Sequence, residues 1–150
     1  MADYTITATQ VLLTSGTPLY GVAGATITQG QSVYLDTSAN TWKLAQADGT
    51  AAEAGSGGTT VSGVVGTVGI ALQSVSSGQR IEVAGPGCVV QMGAGAAIPA
   101  GMVLVVSATA GGVAPTADIT TTGHYRTILG EGIGSTSMRM ICHYPAAALP

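Results

Sequence analysis

Residues 24–45 read GATITQGQSVYLDTSANTWKLA, and the plan of the chain is set out in them. Val33 and Leu35 alternate with Ser32 and Tyr34. Asp36, Ser38 and Asn40 then supply turn chemistry, and Trp42 and Leu44 resume the alternation opposite Thr41 and Lys43. A period of two sends successive side chains to opposite faces of a pleated strand, so the stretch predicts a half-buried β-hairpin.

The same stretch returns at residues 95–115 as GAAIPAGMVLVVSATAGGVAP. Gly24, Ala25, Ile27, Gly30, Val33 and Leu35 find counterparts in Gly95, Ala96, Ile98, Gly101, Leu104 and Val106, each 71 positions later. Downstream, VGIAL at 68–72 is echoed by LGEGI at 129–133, and Ile81-Glu82-Val83 by Met138-Arg139-Met140. The chain therefore reads as an N-terminal arm or strand over residues 1–22, followed by a single β domain over 23–150. Its weak two-fold internal repeat has halves at about residues 23–87 and 95–144.

Composition narrows the class. Of 150 residues, 46% are hydrophobic and only 7% charged, with 23 Gly, one Trp and no Phe. Ala, Val, Ile and Leu make up most of the apolar set, which predicts an ordered core of small side chains in close-packed strands. About ten short strands separated by Gly-rich turns, with no amphipathic helix of useful length, predict an all-β fold: a small Gly-rich barrel or sandwich. Glycines inside strands each give up roughly 0.5–1 kcal/mol relative to Ala, so sheet closure or partners are expected to support the fold.

Tyr4 to Leu13 begins as a Thr-rich alternation, a strand or extended arm that can pair within its own sheet or add to a neighbour's edge. The small-residue run from Gln46 to Gly63 is expected to be an exposed loop. A net charge of −3, with Lys43, Arg80, Arg126 and Arg139 scattered, argues against nucleic acid. The longest apolar run, Met102–Val106, is far short of a membrane span, and Met1-Ala2-Asp3 carries no basic leader. Synthesis and retention in a cytosol are expected. So few surface ions defend poorly against association, which favours a permanent partner.

No constellation of residues points to catalysis. Cys88, Cys142, His124 and His143 are the right types for zinc, but Cys142 and His143 are adjacent on a strand and point apart. Free buried thiols are the plainer reading of the cysteines, ahead of a disulfide. There is no G-x-S-x-G elbow. Gly55-Ser56-Gly57-Gly58 reads as linker, Gly130 to Ser135 as a turn or bulge, and no G-K-[ST] occurs. The seven carboxylates form no acid/base pair. Trp42 and Tyr34 read as core or interface anchors before they read as a sugar-stacking patch. No enzyme activity, catalytic residue, cofactor or metal is expected.

These residues carry a resemblance to a known family. GATIT-x-GQSVYLDTSANTWKLA, the small-residue loop, and VGIAL-x-S-x-x-x-GQ-x-I-x-V-x-x-PG together resemble the capsid decoration, or cement, proteins of tailed bacteriophages. The likeness is direct over residues 23–87 and runs through the repeat beyond them. It implies a β-rich knob, commonly a homotrimer, made in the host cytoplasm and bound to the outside of the virion where major capsid subunits meet. The expected partners are the major capsid protein and other copies of the chain, without nucleic acid or membrane. Tyr4, Ile6, Val11 and Leu12 of the arm, with Trp42, are the candidate capsid or oligomer interface. The alternative is a phage fibre or receptor-binding β module that recognises host-surface glycan through Trp42, Tyr34 or Tyr125.

Overall fold

A computed structural model describes residues 3–50, 53–54, 68–144 and 148–150. The expected linker Gly55–Gly58 and most of the small-residue loop lie outside the described residues. The quoted stretch forms a hairpin of β3 (Ser32–Asp36) and β4 (Thr41–Leu44), in register Val33 with Leu44 and Leu35 with Trp42. Asp36 makes the turn: its carboxylate accepts the N–H of Ser38 at 3.0 Å and holds the Lys43 ammonium at 2.7 Å. Asn40, at φ 54°, takes the left-handed position that Asn tolerates.

The second copy folds the same way. β8 (Val103–Val106) pairs with β9 (Val113–Pro115), Leu104 with Pro115 and Val106 with Val113. Every one of these positions is its first-copy equivalent plus 71, so the hairpin register is conserved within the chain. The chain enters both hairpins through the same tight turn. Gln31 N–H donates to Thr28 O and Met102 N–H to Pro99 O, with Gly30 at φ 91° and Gly101 at φ 81° in the position that a type II turn reserves for glycine.

The other strands are β1 (Leu12–Ser15), β2 (Leu19–Val22), β5 (Val68–Ala71), β6 (Arg80–Ala84), β7 (Val89–Gln91), β10 (Ile128–Gly132) and β11 (Ser137–His143). They build two antiparallel sheets, one of five strands in the order β2-β6-β5-β3-β4 and one of six in the order β1-β7-β11-β10-β8-β9. Without β1 the two orders are identical, element for element. The repeat is a five-stranded unit used twice, and β1 is an added edge.

Pairing fixes which residues correspond. Leu19 faces Val83 in the first sheet and Val90 faces Met138 in the second, so Val83 corresponds to Met138. The sequence comparison had set Val83 against Met140, two residues further on. The slip keeps the same face, because the side-chain period is two.

The copies stack face to back. In the five-stranded sheet, Leu19, Val33, Leu35, Trp42, Ile81 and Val83 share one face and pack among themselves with Ala23 and Ile27. The sheet curls around that face until its edges approach at a single parallel bridge, Ala23 to Trp42, where Gly24 N–H donates to Trp42 O at 2.7 Å. The ladder goes no further, and the barrel is not closed. Its opposite face, with Tyr34, Val68, Ile70 and Ala84, packs against Val90, Leu104, Val106 and Met138 of the second sheet. The architecture is a sandwich of two unlike faces. Ser32 ties the halves together, its buried hydroxyl donating to Gly112 O at 2.8 Å.

The segment expected as a strand or extended arm is part of this body. Its residues 12–15 and 19–22 give one edge strand to each sheet. Before them the alternation does not persist as a strand: Ala8–Gln10 is a 3-10 turn closed by Gln10 N–H to Thr7 O. The turn has a packing reason. Ile6 and Val11, five apart, would point to opposite faces of a strand, yet a methyl at Gly30 would lie 2.5 Å from Ile6 Cγ2 and 2.9 Å from Val11 Cγ2. Bending the chain seats both against the side-chain-free turn. Asp3 accepts the Ser107 hydroxyl at 2.7 and 2.8 Å, and Tyr4 N–H donates to Val113 O at 2.8 Å.

Candidate interface on the six-stranded sheet

Among the described residues, face-to-back stacking leaves most of one sheet face uncovered. The back of the five-stranded sheet is buried by the second unit at Tyr34, Val68, Ile70 and Ala84, with Tyr20, Val22 and Arg80 exposed towards its β2 edge, and the equivalent back of the six-stranded sheet points outward. β11 shows the split residue by residue: Met138, Met140 and Cys142 are buried, and Arg139, Ile141 and His143 are exposed. Pairing lines up Val103, Glu131, Arg139 and Val89 as one outward row and Ser137, Gln91 and Leu12 as another.

Aliphatic side chains stand among the polar ones of these rows, and Ile141, two residues beyond Arg139 on β11, adds another. Leu12 is 59% exposed, Ile141 45% and Val103 37%. The charges within the rows are Arg139 and Glu131, paired with each other at 3.2 Å. An exposed sheet face that presents large aliphatic side chains around a neutralised ion pair is suited to burial against another surface. At its far end the face is covered by the chain itself, where Val105 and Ala114 are fully buried.

The five residues nominated from sequence fall in three places. Tyr4, Ile6 and Val11 gather near the Gly30 and Val113 turns; Val11 is buried, and Tyr4 and Ile6 are half-buried against the shared core. Burial, and then the charge of Asp118, raise the Tyr4 hydroxyl above its usual pKa of 10.0. Trp42 is 3% exposed inside the curl of the five-stranded sheet, with its indole against Gly21. Leu12 alone stands on the open face. Val89, Val103 and Ile141 complete that face, and the sequence carried one signal for them: an isoleucine between Arg139 and His143 on the polar side of SMRMICH.

The rings nominated for glycan stacking are occupied within the chain. Tyr34 is buried, and its hydroxyl pKa is raised by that burial and next by Asp36. Tyr125 stacks on Tyr144, ring centres 5.6 Å apart. Cys88 and Cys142 are buried free thiols. Burial first, then the neighbouring Cys88, pushes Cys142 up to about 12, which keeps it a thiol and not a nucleophile at neutral pH. Among the described residues no three His, Cys, Asp or Glu side chains converge on a point, and no helix is long and apolar enough to cross a membrane.

In comparison with known proteins, neither a family model nor a curated protein matches this chain.

Proposed function

We propose that this protein is a structural cement protein of a tailed-bacteriophage head, docking from outside onto the major capsid subunits and holding neighbours together. The observation that carries the reading is the open face of the six-stranded sheet, with Leu12, Val103 and Ile141 exposed around one internal ion pair. Burying it against a partner takes aliphatic surface out of water, at about 25 cal/mol per Å², without stranding a charge. Two interlocked sheets with a shared core give that face a rigid backing.

A single such contact is modest beside a standard interface of about 1,600 Å². Repetition over a symmetric shell supplies the rest, because copies that also associate with each other, as a homotrimer, bind with the avidity of the assembly. Synthesis in the host cytoplasm and residence on the capsid exterior belong to the same reading. The test is co-sedimentation of the purified protein with expanded, undecorated heads, with its mass measured by light scattering. Saturable binding at a fixed ratio to the major capsid protein, with a trimer mass, is the expected result. Absence of binding, or a monomer mass on and off the shell, contradicts the corresponding half of the reading.

A further inference from the structure

At one end of the sandwich the N-terminal segment crosses two glycine turns, Thr28–Gln31 of the first unit and Thr109–Val113 of the second, and roofs a cleft of about 350 Å³. That volume lies within the range of small-molecule sites. Asp3, Tyr4, Thr28, Gln29, Gln31 and Thr109 furnish its polar lining, and Gly111 and Gly112 leave bare backbone.

Two neighbouring carboxamides there are each pinned at one end. Gln31 Oε1 accepts the Thr28 N–H at 2.7 Å, which leaves its Nε2 as a donor. Gln29 Nε2 donates to Val11 O, which leaves its Oε1 as an acceptor. A donor and an acceptor held by the protein thus belong to residues that line one cleft, and the Asp3 carboxylate, with spare lone pairs, lines it as well.

This set selects by chemistry. Among the described residues no Lys, Arg or His lines the cleft, and the charge they place there is that of Asp3. One carboxylate is too few for a divalent cation. Groups that donate and accept at once suit alternating donors and acceptors best, and adjacent hydroxyls on a ring are such groups. Tyr4 and Ile6 add apolar side chains to the same lining, as the C–H face of such a ring requires.

We propose that this cleft is a binding subsite for a neutral saccharide of one or two pyranose rings. The site is independent of the outward sheet face and stands whether or not that face docks on a capsid. Its donor and acceptor are held by the protein's own turns before any ligand arrives, which lowers the ordering cost of binding.

The test is titration of the isotope-labelled full chain with lactose, maltose and N,N′-diacetylchitobiose, followed by amide and side-chain NMR. At least one disaccharide is expected to shift the Gln29 and Gln31 side-chain amides, Gly111 and Tyr4 along a saturable curve in the millimolar range. Thr109→Trp fills the cleft from an exposed position, and Gln31→Leu removes the free donor. Each is expected to weaken that binding at least tenfold, with the rest of the spectrum in place as the check of folding. No shift with any of the three sugars, shifts elsewhere on the surface, or shifts unchanged in Thr109→Trp overturn the proposal. An extended peptide that displaces a bound sugar's shifts at lower concentration overturns the assignment of ligand class.

Discussion

Gly69 and Gly130 occupy one position in two sheets: Gly69 faces Val33 across the β5–β3 pair, and Gly130 faces Leu104 across β10–β8. A methyl on Gly69 would overlap Val83 Cγ1 and lie 2.5 Å from the Ala84 carbonyl oxygen. A methyl on Gly130 would overlap the Arg139 carbonyl oxygen and lie 2.9 Å from Met138 Cγ. Val83 and Ala84 are the first-unit equivalents of Met138 and Arg139. The same close approach of strands is therefore built twice, and glycine meets it both times.

Gly69→Ala and Gly130→Ala are each expected to destabilise the protein by about 1–3 kcal/mol through overpacking against backbone that cannot retreat. Gly134→Ala, where a methyl meets nothing within 4 Å, is the control and should move stability by about 0.5 kcal/mol or less. Urea midpoints at constant m-value measure all three.

Trp42→Ala is expected to cost about 3–5 kcal/mol, because the indole fills the curl of the five-stranded sheet and the walls there cannot fully collapse. Leu12→Ala, on the open face, should change stability by about 0.5 kcal/mol or less. Equal losses for the two would mean that the placement of these side chains is wrong.

Removal of residues 1–10 is expected to lower stability by roughly 2–4 kcal/mol, since Ile6 leaves the core and Val11 loses its neighbour over Gly30. Thermal melts of the truncated and full chains measure this. An unchanged midpoint would show that the segment is a free arm after all.

The hairpin ion pair predicts a pH dependence. The Lys43 hydrogen bond, with lesser help from the Ala39 and Ser38 amides and against some desolvation, holds Asp36 below its usual 3.8. A depressed carboxyl stabilises the fold above its unfolded pKa, and that contribution is lost as pH falls through the lower folded value. Asp36→Asn should therefore be less stable than the parent at neutral pH, with the gap closing on the acid side of 3.8. At the other extreme, Cys142 moves from 9.0 to about 12 on folding. Its contribution is complete below 9.0 and is lost as pH rises towards 12. Denaturation curves against pH for both variants, Asp36→Asn and Cys142→Ala, measure these limbs.

The fold was legible in sequence where the signal was local. Alternation in SVYLD and TWKL, with Asp36 and Asn40 between them, gave the hairpin, and the shift of 71 gave its twin in the right register. What local pattern does not carry is which face of each unit covers which. That depends on the curl that buries Trp42 within its own sheet, so a lone Trp on a hairpin read equally as core or interface. The arm was legible in composition but not in course, because the bend at Ala8–Gln10 answers to Gly30, well along the chain. The open face was hardest to see, being made of Leu12, Val89, Val103 and Ile141 from four separate strands. Only the pairing of β1, β7, β11, β10 and β8 brings them onto one surface.

The most direct test of the docking reading is the occupancy of expanded phage heads by Ile141→Asp/Val103→Asp protein measured beside the parent at equal concentration. Both residues are outward, so the fold is expected to survive, which a matching thermal melt verifies. The account predicts saturable binding of the parent and at least tenfold weaker binding of the double variant. Parent protein that does not bind, or a folded variant that decorates heads as fully as the parent, would contradict it.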